Sequence, residues 1–416
     1  MKIAVIGAGI AGVTTAYELA TSGHEVTVIE RRGTIAEEGS FAVAGLVAPG
    51  QMAWALPGAS NAVPRLLRTN WPLTVHDVRW LWRRRAIQSS AAGAVHLDQF
   101  LQLAFYSRER VRNLSSNLQL EYDRSHGSLL LLRTSEDADR AREALQRLRE
   151  AGVNASEVST AEARQLEPGL HAQLDFAGAV HFPDDDVANC RQFALLLKAQ
   201  AQEMGVQFVF NTTVRRLLPD RPATLQVTGD DTAYAFDAVV VCAGPASAQL
   251  LRPLGLALPL TAVHLYSLTA AMREPSAAPV SAVVDARHQV TISRLGRRIR
   301  VAGGAELGGS LERKREATIQ RLYTSLNDWF PGAAQLANPS VTVQLWKGAL
   351  ATLPDGLPII GGSGLPGLWL NLGHGEHAWA LSCASARVVA DLITGKAPDV
   401  NIDSFRVDRL VRLPGV

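Results

Sequence analysis

Cysteine is scarce and scattered in this chain. Cys190, Cys242 and Cys383 are the only three in 416 residues, with no CxxC pair and no Cys/His cluster. That spacing excludes a disulfide framework and a structural zinc site, and it suits a reducing, cytoplasmic compartment. A dominant charge is also lacking: 41 basic residues against 39 acidic ones leave a net +2, too little for a nucleic-acid partner. No apolar run reaches the roughly eighteen uncharged residues that a transmembrane helix needs. The opening "MKIAVIGAGIAGVTTAYELA" resembles a signal peptide only superficially, because it has no small-residue cleavage pattern. No metal site is expected. In "DDDV", Asp186 reads instead as the N-cap of a helix beginning near Val187.

What is present is an apolar fraction of 47% with 19% charged residues, the balance of a well-packed globule. The length exceeds one ordinary core, so two domains are expected. One segment departs from the average. Between Pro64 and Arg85 stand six arginines (Arg65, Arg68, Arg79, Arg83, Arg84 and Arg85) against a single acid, Asp77. Trp54, Trp71, Trp80 and Trp82 lie in it or just before it. Such a mixture suits either peripheral contact with the inner membrane face or an exposed arginine face with inward tryptophans.

The strongest motif is at the start. "KIAVI" reads as a strand buried on both faces, Gly7-Ala8-Gly9-Ile10-Ala11-Gly12 as a tight turn, Val13 to Ala20 as a helix, and "EVTVIE" as the next strand. This is a complete βαβ unit with GxGxxG in register. Gly7 permits the turn, Gly9 lets backbone approach a pyrophosphate, and Gly12 lets helix and strand pack closely. Glu30 closes the second strand, placed to bind an adenosine ribose and to repel a 2′-phosphate. NADP is therefore disfavoured, while NAD and FAD both remain open.

Beyond the motif, "LDQFLQLAFYSRERVRNL" and Glu136 to Ala151 read as helices, and "GSLLLLRT" and "GAVHFPDDD" as strands. "DAVVVCAG" is a buried strand opening into a small-residue turn at Ala243-Gly244, fit to pass beneath a dinucleotide. The alternating runs "YSLTAAM", "VSAVVD", "QVTISRLG" and "RIRVAGGAEL" predict a second, mainly antiparallel sheet. "GLWLNLGHG" is one more strand, leading into a glycine turn and a helix. No second GxGxxG opens a βαβ unit, which points to one dinucleotide with electrons supplied by the substrate.

With these elements in order, the chain resembles the FAD-dependent D-amino acid oxidase superfamily, and within it the small subunits of bacterial D-amino acid dehydrogenases. The resemblance rests on Val5–Glu30, "YSLT" (266–269), "RIRVAGGAELGG" (298–309), "LPDGLPIIG" (353–361) and "LWLNLGHG" (368–375). It implies an α/β fold with a Rossmann-like FAD-binding domain of the glutathione-reductase type, and an interleaved α+β substrate domain on a mainly antiparallel sheet. The expected FAD domain is discontinuous, 1–55, 187–250 and 346–416, with the substrate domain at 56–186 and 251–345. The resemblance carries FAD contacts to Gly7, Gly9, Ile10, Ala11, Gly12, Glu30, Arg31, Ala44, Gly45, Leu46, Val214, Ala243, Gly244, Gly348 and Gly373 to Glu376. His374, within the Gly373–Gly375 cradle, is expected at the reducible end of the flavin.

The chain also departs from the family pattern. A Gly-x-Arg-Pro-x-x-Pro-Asp-Gly stretch normally supplies an arginine fork for the substrate carboxylate. Here "WKGALATLPDGLP" puts Leu350 and Ala351 at the arginine and proline positions. Val43 replaces a polar residue in the early loop, His264-Leu265 precedes the Tyr-Ser-Leu-Thr run, and Glu376 and Ala378 follow the cradle. Val43 and Leu350 are expected to line an altered substrate pocket, with His264, Tyr266, Glu376 and His377 as candidates for substrate contact or proton transfer. The reading is an FAD-dependent dehydrogenase or oxidase taking hydride from a C–H next to nitrogen in an amine or amino-acid-like substrate, with quinone or O2 as acceptor. The alternatives are an ordinary D-amino acid dehydrogenase and a non-catalytic FAD-binding accessory subunit.

Overall fold

A computed structural model describes residues 1–54, 67–88, 92–220, 222–336 and 343–410. The first sheet grows from the βαβ unit. Strand Lys2–Ile6 pairs in parallel with Glu25–Ile29 on one side and Ala238–Val241 on the other. Gln207–Val209 and Leu368–Leu372 extend it in parallel, and Ile359–Gly362 closes one edge antiparallel. The central strands are buried on both faces, which explains their continuous β-branched runs. Helix Ile10–Thr21 packs on this sheet and against the last helix, Ala378–Ile393, so distant parts of the sequence share one core.

The second sheet has ten strands and is mainly antiparallel, as its alternating sequence predicts. Its order runs from Gln344–Thr352 through Thr261–Ala271, Arg298–Gly308, Val290–Leu295, Ala282–Asp285, Arg124–Leu132 and Gly178–Ala188 to Leu46–Val47. Ala282–Asp285 and Arg124–Leu132 form its one parallel junction along this path. A small antiparallel sheet of Val214–Leu218, Ala223–Val227 and Asp230–Phe236 sits apart.

Two expectations need correction. Residues 346–352 were assigned to the nucleotide half, yet strand Gln344–Thr352 pairs along its length with Thr261–Ala271 in the large sheet. Asp186 is not an N-cap. Its strand continues to Ala188, and Asn189 caps helix Cys190–Glu203 by accepting from the Gln192 N–H. Asp186, almost fully buried, instead accepts from Arg112 at 2.8 Å and pairs with Arg124 and His126. The pairing of Gly178–Ala188 with Arg124–Leu132 carries the strand past the point where propensity would stop it.

Helix Val75–Gln88 is the element that closes over the site. Thr74 and Asp77 cap it reciprocally: Thr74 N–H donates to Asp77 Oδ2 at 2.9 Å, and Asp77 N–H donates to Thr74 Oγ1 at 3.1 Å. Thr261 Oγ1 also donates to Asp77 at 2.9 Å, and Trp80 Nε1 donates to the Thr352 carbonyl at 3.1 Å. Both tie the helix to the edge of the large sheet. Trp80 is buried, whereas Trp71 and Trp82 are exposed. Residues 55–66, which include Arg65, lie outside the described residues. No helix among the described residues is long and apolar enough to cross a membrane.

Candidate active site

The carboxyl ends of the parallel strands open onto a cleft of about 360 Å³, lined by Gly7, Gly9, Ile10, Ala11, Glu30, Arg31, Val214, Ala243, Gly244, Leu350, Gly373, His374 and Gly375. The first glycines divide the labour. A Cβ on Gly12 would lie 1.9 Å from the Gly7 carbonyl oxygen, so this glycine is required by packing and does not itself line the cleft. A Cβ on Gly9 would meet only Ser40 Oγ, at 3.4 Å. Gly9 therefore keeps open space at the start of the helix. Gly9 provides no side-chain cap, although Ser40 Oγ accepts from the Ile10 N–H at 3.0 Å.

At one end of the cleft, Glu30 accepts the Ala8 N–H at 2.6 Å and the Arg32 N–H at 2.8 Å. Its carboxylate is thereby fixed beside the turn, with lone pairs left for ribose hydroxyls. Arg31 and Arg32 are both held by Glu38. At the other end, Gly373 and Gly375 have φ of +81° and +58°, conformations that favour glycine. The His374 ring points into the protein, not into the cleft. Its Nε2 lies 3.1 Å from Ser385 Oγ, which is itself 3.2 Å from the Ser382 carbonyl. Burial pushes this histidine down to about 4, leaving it neutral. The following helix begins at Ala378 without a side-chain cap, with its N-terminus beside the cleft.

A smaller pocket adjoins this end and shares Leu350, His374 and Gly375 with the cleft. Trp80, Arg84, Val263, Leu265, Glu376 and His377 also line it. His377 is buried edge-on to Phe100, ring centroids 5.3 Å apart, and its Nε2 is 3.6 Å from Glu376 Oε1. Glu376 is exposed at the rim of the pocket, whereas His377 turns inward and occupies the N-cap position without a side-chain capping bond.

The structure does not bring His264 or Tyr266 to this place. Val263 and Leu265 face the pocket, so the intervening His264 and the next residue, Tyr266, fall on the opposite face of their strand. Tyr266 donates to Glu306 at 2.8 Å and accepts from the Arg315 N–H at 3.1 Å, inside a core cluster. Val43, Ala44, Gly45 and Leu46 also lie off the cleft. The carbonyls of Ala42, Val43 and Ala44 accept from Ser267, Arg300 and Ser293, at 2.8, 3.1 and 2.8 Å. The loop is thus fastened onto the large sheet, and its preceding residues Gly39 and Ser40 reach the cleft instead. Gly348 is packed beneath the Trp346 indole. The early loop pointed to Ser40, but no sequence signal marked Thr212, Thr213 or Ala349.

A family model described as FAD dependent oxidoreductase matches residues 2–392. The chain belongs to that family. It is 37% identical over 98% of its length to a D-amino acid dehydrogenase of Bradyrhizobium diazoefficiens, covering 99% of that protein. A D-amino acid dehydrogenase of Cereibacter sphaeroides is 38% identical over 99% of this chain and 96% of its own. Among solved structures, glycine oxidase from Geobacillus kaustophilus superposes with a TM-score of 0.76 at 22% identity, covering 99% of both chains, a likeness of fold.

The cleft of this FAD-dependent oxidoreductase fits its cofactor on three counts. Two helix N-termini without side-chain caps on their N-cap residues meet it, and Gly9 leaves space for a diphosphate. Asn371 lines it with a buried Oδ1 that has no donor among the described residues, a ready acceptor for a cofactor hydroxyl.

Two predictions follow from this geometry. Gly12→Ala lowers the stability of the FAD-free protein by about 2 kcal/mol or more through backbone collision. Gly9→Ala leaves FAD-free stability within about 1 kcal/mol of wild type but loses bound FAD. Urea unfolding and flavin absorbance after desalting separate them, and equal behaviour of the two variants contradicts the assignment. For His374, the unfolded chain takes up a proton near pH 6.5 that the folded one refuses until about 4. Its contribution is complete above pH 6.5 and is lost as pH falls toward 4, by up to about 3 kcal/mol. Relative to His374→Gln, wild type should lose that much between pH 7 and 4 in urea titrations. Parallel losses in both proteins would refute the buried neutral ring.

Proposed function

We propose that this enzyme oxidises the C–H next to nitrogen in an amine or amino-acid-like substrate, using a pocket altered from that of ordinary D-amino acid dehydrogenases. Bound FAD supplies a two-electron acceptor that takes hydride from carbon. Gly9, Ile10 and Ala11 would hold its diphosphate, Glu30, Arg31 and Val214 its adenosine end, Ala243 and Gly244 its middle, and Gly373–Gly375 its reducible ring. The helix start at Ala378 offers backbone N–H groups and a positive dipole end where negative charge develops. The neutral His374 steadies that turn from behind.

The observation that carries the altered pocket is Leu350. It is buried at the shared wall of cleft and pocket, where its isobutyl group cannot bind a carboxylate. Glu376 and His377, from the same pocket, supply polar groups next to the substrate nitrogen, with positioning providing most of the rate. Quinone or O2 would serve as the final electron acceptor. Anaerobic mixing of the holoenzyme with a panel of amines and amino acids should bleach the flavin with at least one member faster than with D-alanine. D-alanine as the fastest substrate would overturn the altered pocket, and no bleaching by any member would overturn the reaction class.

A peripheral membrane position is also part of this reading. Trp71 and Trp82 are 81% and 71% exposed, and Val75, Arg79, Arg83 and Arg85 are exposed along the same segment. Apolar rings beside cations suit an anionic headgroup layer. Wild type should float with phosphatidylglycerol-containing liposomes, and a Trp71→Ala/Trp82→Ala variant should not. Equal flotation, or none, removes the membrane contact.

A further inference from the structure

Arg84 does not share the fate of its neighbours. Arg83 and Arg85 are exposed, but Arg84 is 6% exposed and forms part of the pocket wall with Leu350, Glu376 and His377. Helical spacing explains this: Arg84 follows Trp80 by four residues and shares its inward face, with the guanidinium 5.4 Å from the indole centroid. Trp80 is itself fixed by its bond to the Thr352 carbonyl, two residues beyond Leu350.

The guanidinium has no carboxylate partner among the described residues. The acid that acts on it, Asp355, is already committed: its Oδ2 accepts from Arg409 at 2.9 Å, and its Oδ1 accepts from the Leu357 N–H at 3.1 Å. Burial lowers the Arg84 pKa, yet an arginine keeps its proton in any such setting. A buried cation whose support among the described residues is an indole face and a distant, engaged acid is costly to keep. Five N–H donors in a planar fork are then available at the wall of a pocket that adjoins the reducible end of the cleft.

We infer that Arg84 is the substrate's carboxylate-binding residue, reaching the pocket from the helix Val75–Gln88 instead of from the strand that carries Leu350. This inference rests on the amine-oxidation reading above and narrows it: the substrate is an amino acid, presented to the cofactor from a carboxylate site on a different wall. The displaced fork also explains how a chain with leucine at position 350 keeps an anion site. An amino acid held from this side presents its carbon in a changed orientation, which selects among side chains and substituents on nitrogen.

The test compares amino acids with their decarboxylated partners, D-alanine with ethylamine and D- and L-phenylalanine with 2-phenylethylamine, together with sarcosine, glycine and methylamine. In wild type at least one amino acid should reduce the flavin at lower KM than its amine. Arg84→Met should raise the KM for that amino acid by about 100-fold and leave its amine within about threefold. Arg84→Lys, which keeps charge but not the fork, should fall between them. Equal effects on acid and amine, or no effect on either, overturn the inference.

A second readout is independent of turnover. Acetate, propionate and benzoate should each be titrated against the bound-flavin spectrum. Saturable perturbation in wild type that is abolished in Arg84→Met supports the carboxylate site even where no panel member reduces the flavin, an outcome that would sink only the reaction class. Absence of perturbation in wild type, or its persistence in Arg84→Met, overturns Arg84. If Arg84→Met does not fold with FAD bound, Arg84→Gln takes its place with the same expectations.

Discussion

The site depends on the packing of the first helix against the last. Helix Ile10–Thr21 and helix Ala378–Ile393 must both begin at the same cleft, although their starts are more than three hundred residues apart in sequence. They can do so because their contact is built from small groups. Thr14 Oγ1 lies 3.2 Å from the Ser382 carbonyl, and Val13 and Ala16 share a core with Leu381 and Ala384. Thr15 accepts from Asn371 at 2.9 Å, joining the first helix to the strand that feeds the Gly373–Gly375 turn. Bulky side chains on either helix would spread the two N-termini and divide one anion-stabilising cleft into two weak ones.

Strand parity decides which functional candidates reach the pocket beside that cleft. Thr261–Ala271 and Gln344–Thr352 are paired antiparallel, with Val263 opposite Leu350 and Leu265 opposite Gly348. One face of this pair forms the pocket. The other buries Tyr266, Glu306 and Lys347, whose ammonium donates to the Ser310 and Arg313 carbonyls at 2.7 and 2.9 Å. The far-face network anchors the chain between the large sheet and helix Glu316–Trp329. A tyrosine in a recognisable motif is thus a structural post, and the apolar residues beside it do the shaping.

Much of this was legible in the residues themselves. A doubly buried β-run followed by GxGxxG allows few solutions, so the βαβ unit and its cleft could be read directly from Lys2 to Glu30. The alternating runs from Tyr266 to Leu307 likewise reported an antiparallel sheet. What could not be read was direction and phase. Asp186 has the chemistry of a cap but sits in a strand whose length is set by a partner some sixty residues away. His264 and Tyr266 have catalytic chemistry but the wrong parity. Arg84 looked like one of six surface arginines, and only the helical offset from Trp80 separates it from Arg83 and Arg85.

Leucine at position 350 and a buried arginine at position 84 make physical sense together. A fork from the strand beside the cleft and a second fork from the helix opposite would place two like charges in one small dry pocket, each raising the cost of the other. One cation there is tolerable, and it is most easily kept where an aromatic face and an acid such as Asp355 offset part of its desolvation. Replacing the strand arginine by leucine removes the repulsion and leaves an apolar wall against the cofactor's ring end, where exclusion of water strengthens every remaining electrostatic contact. With Arg84 as the carboxylate residue inferred above, specificity would follow from which element carries the charge: moving it from strand to helix would keep the anion site but turn the substrate relative to the fixed cleft.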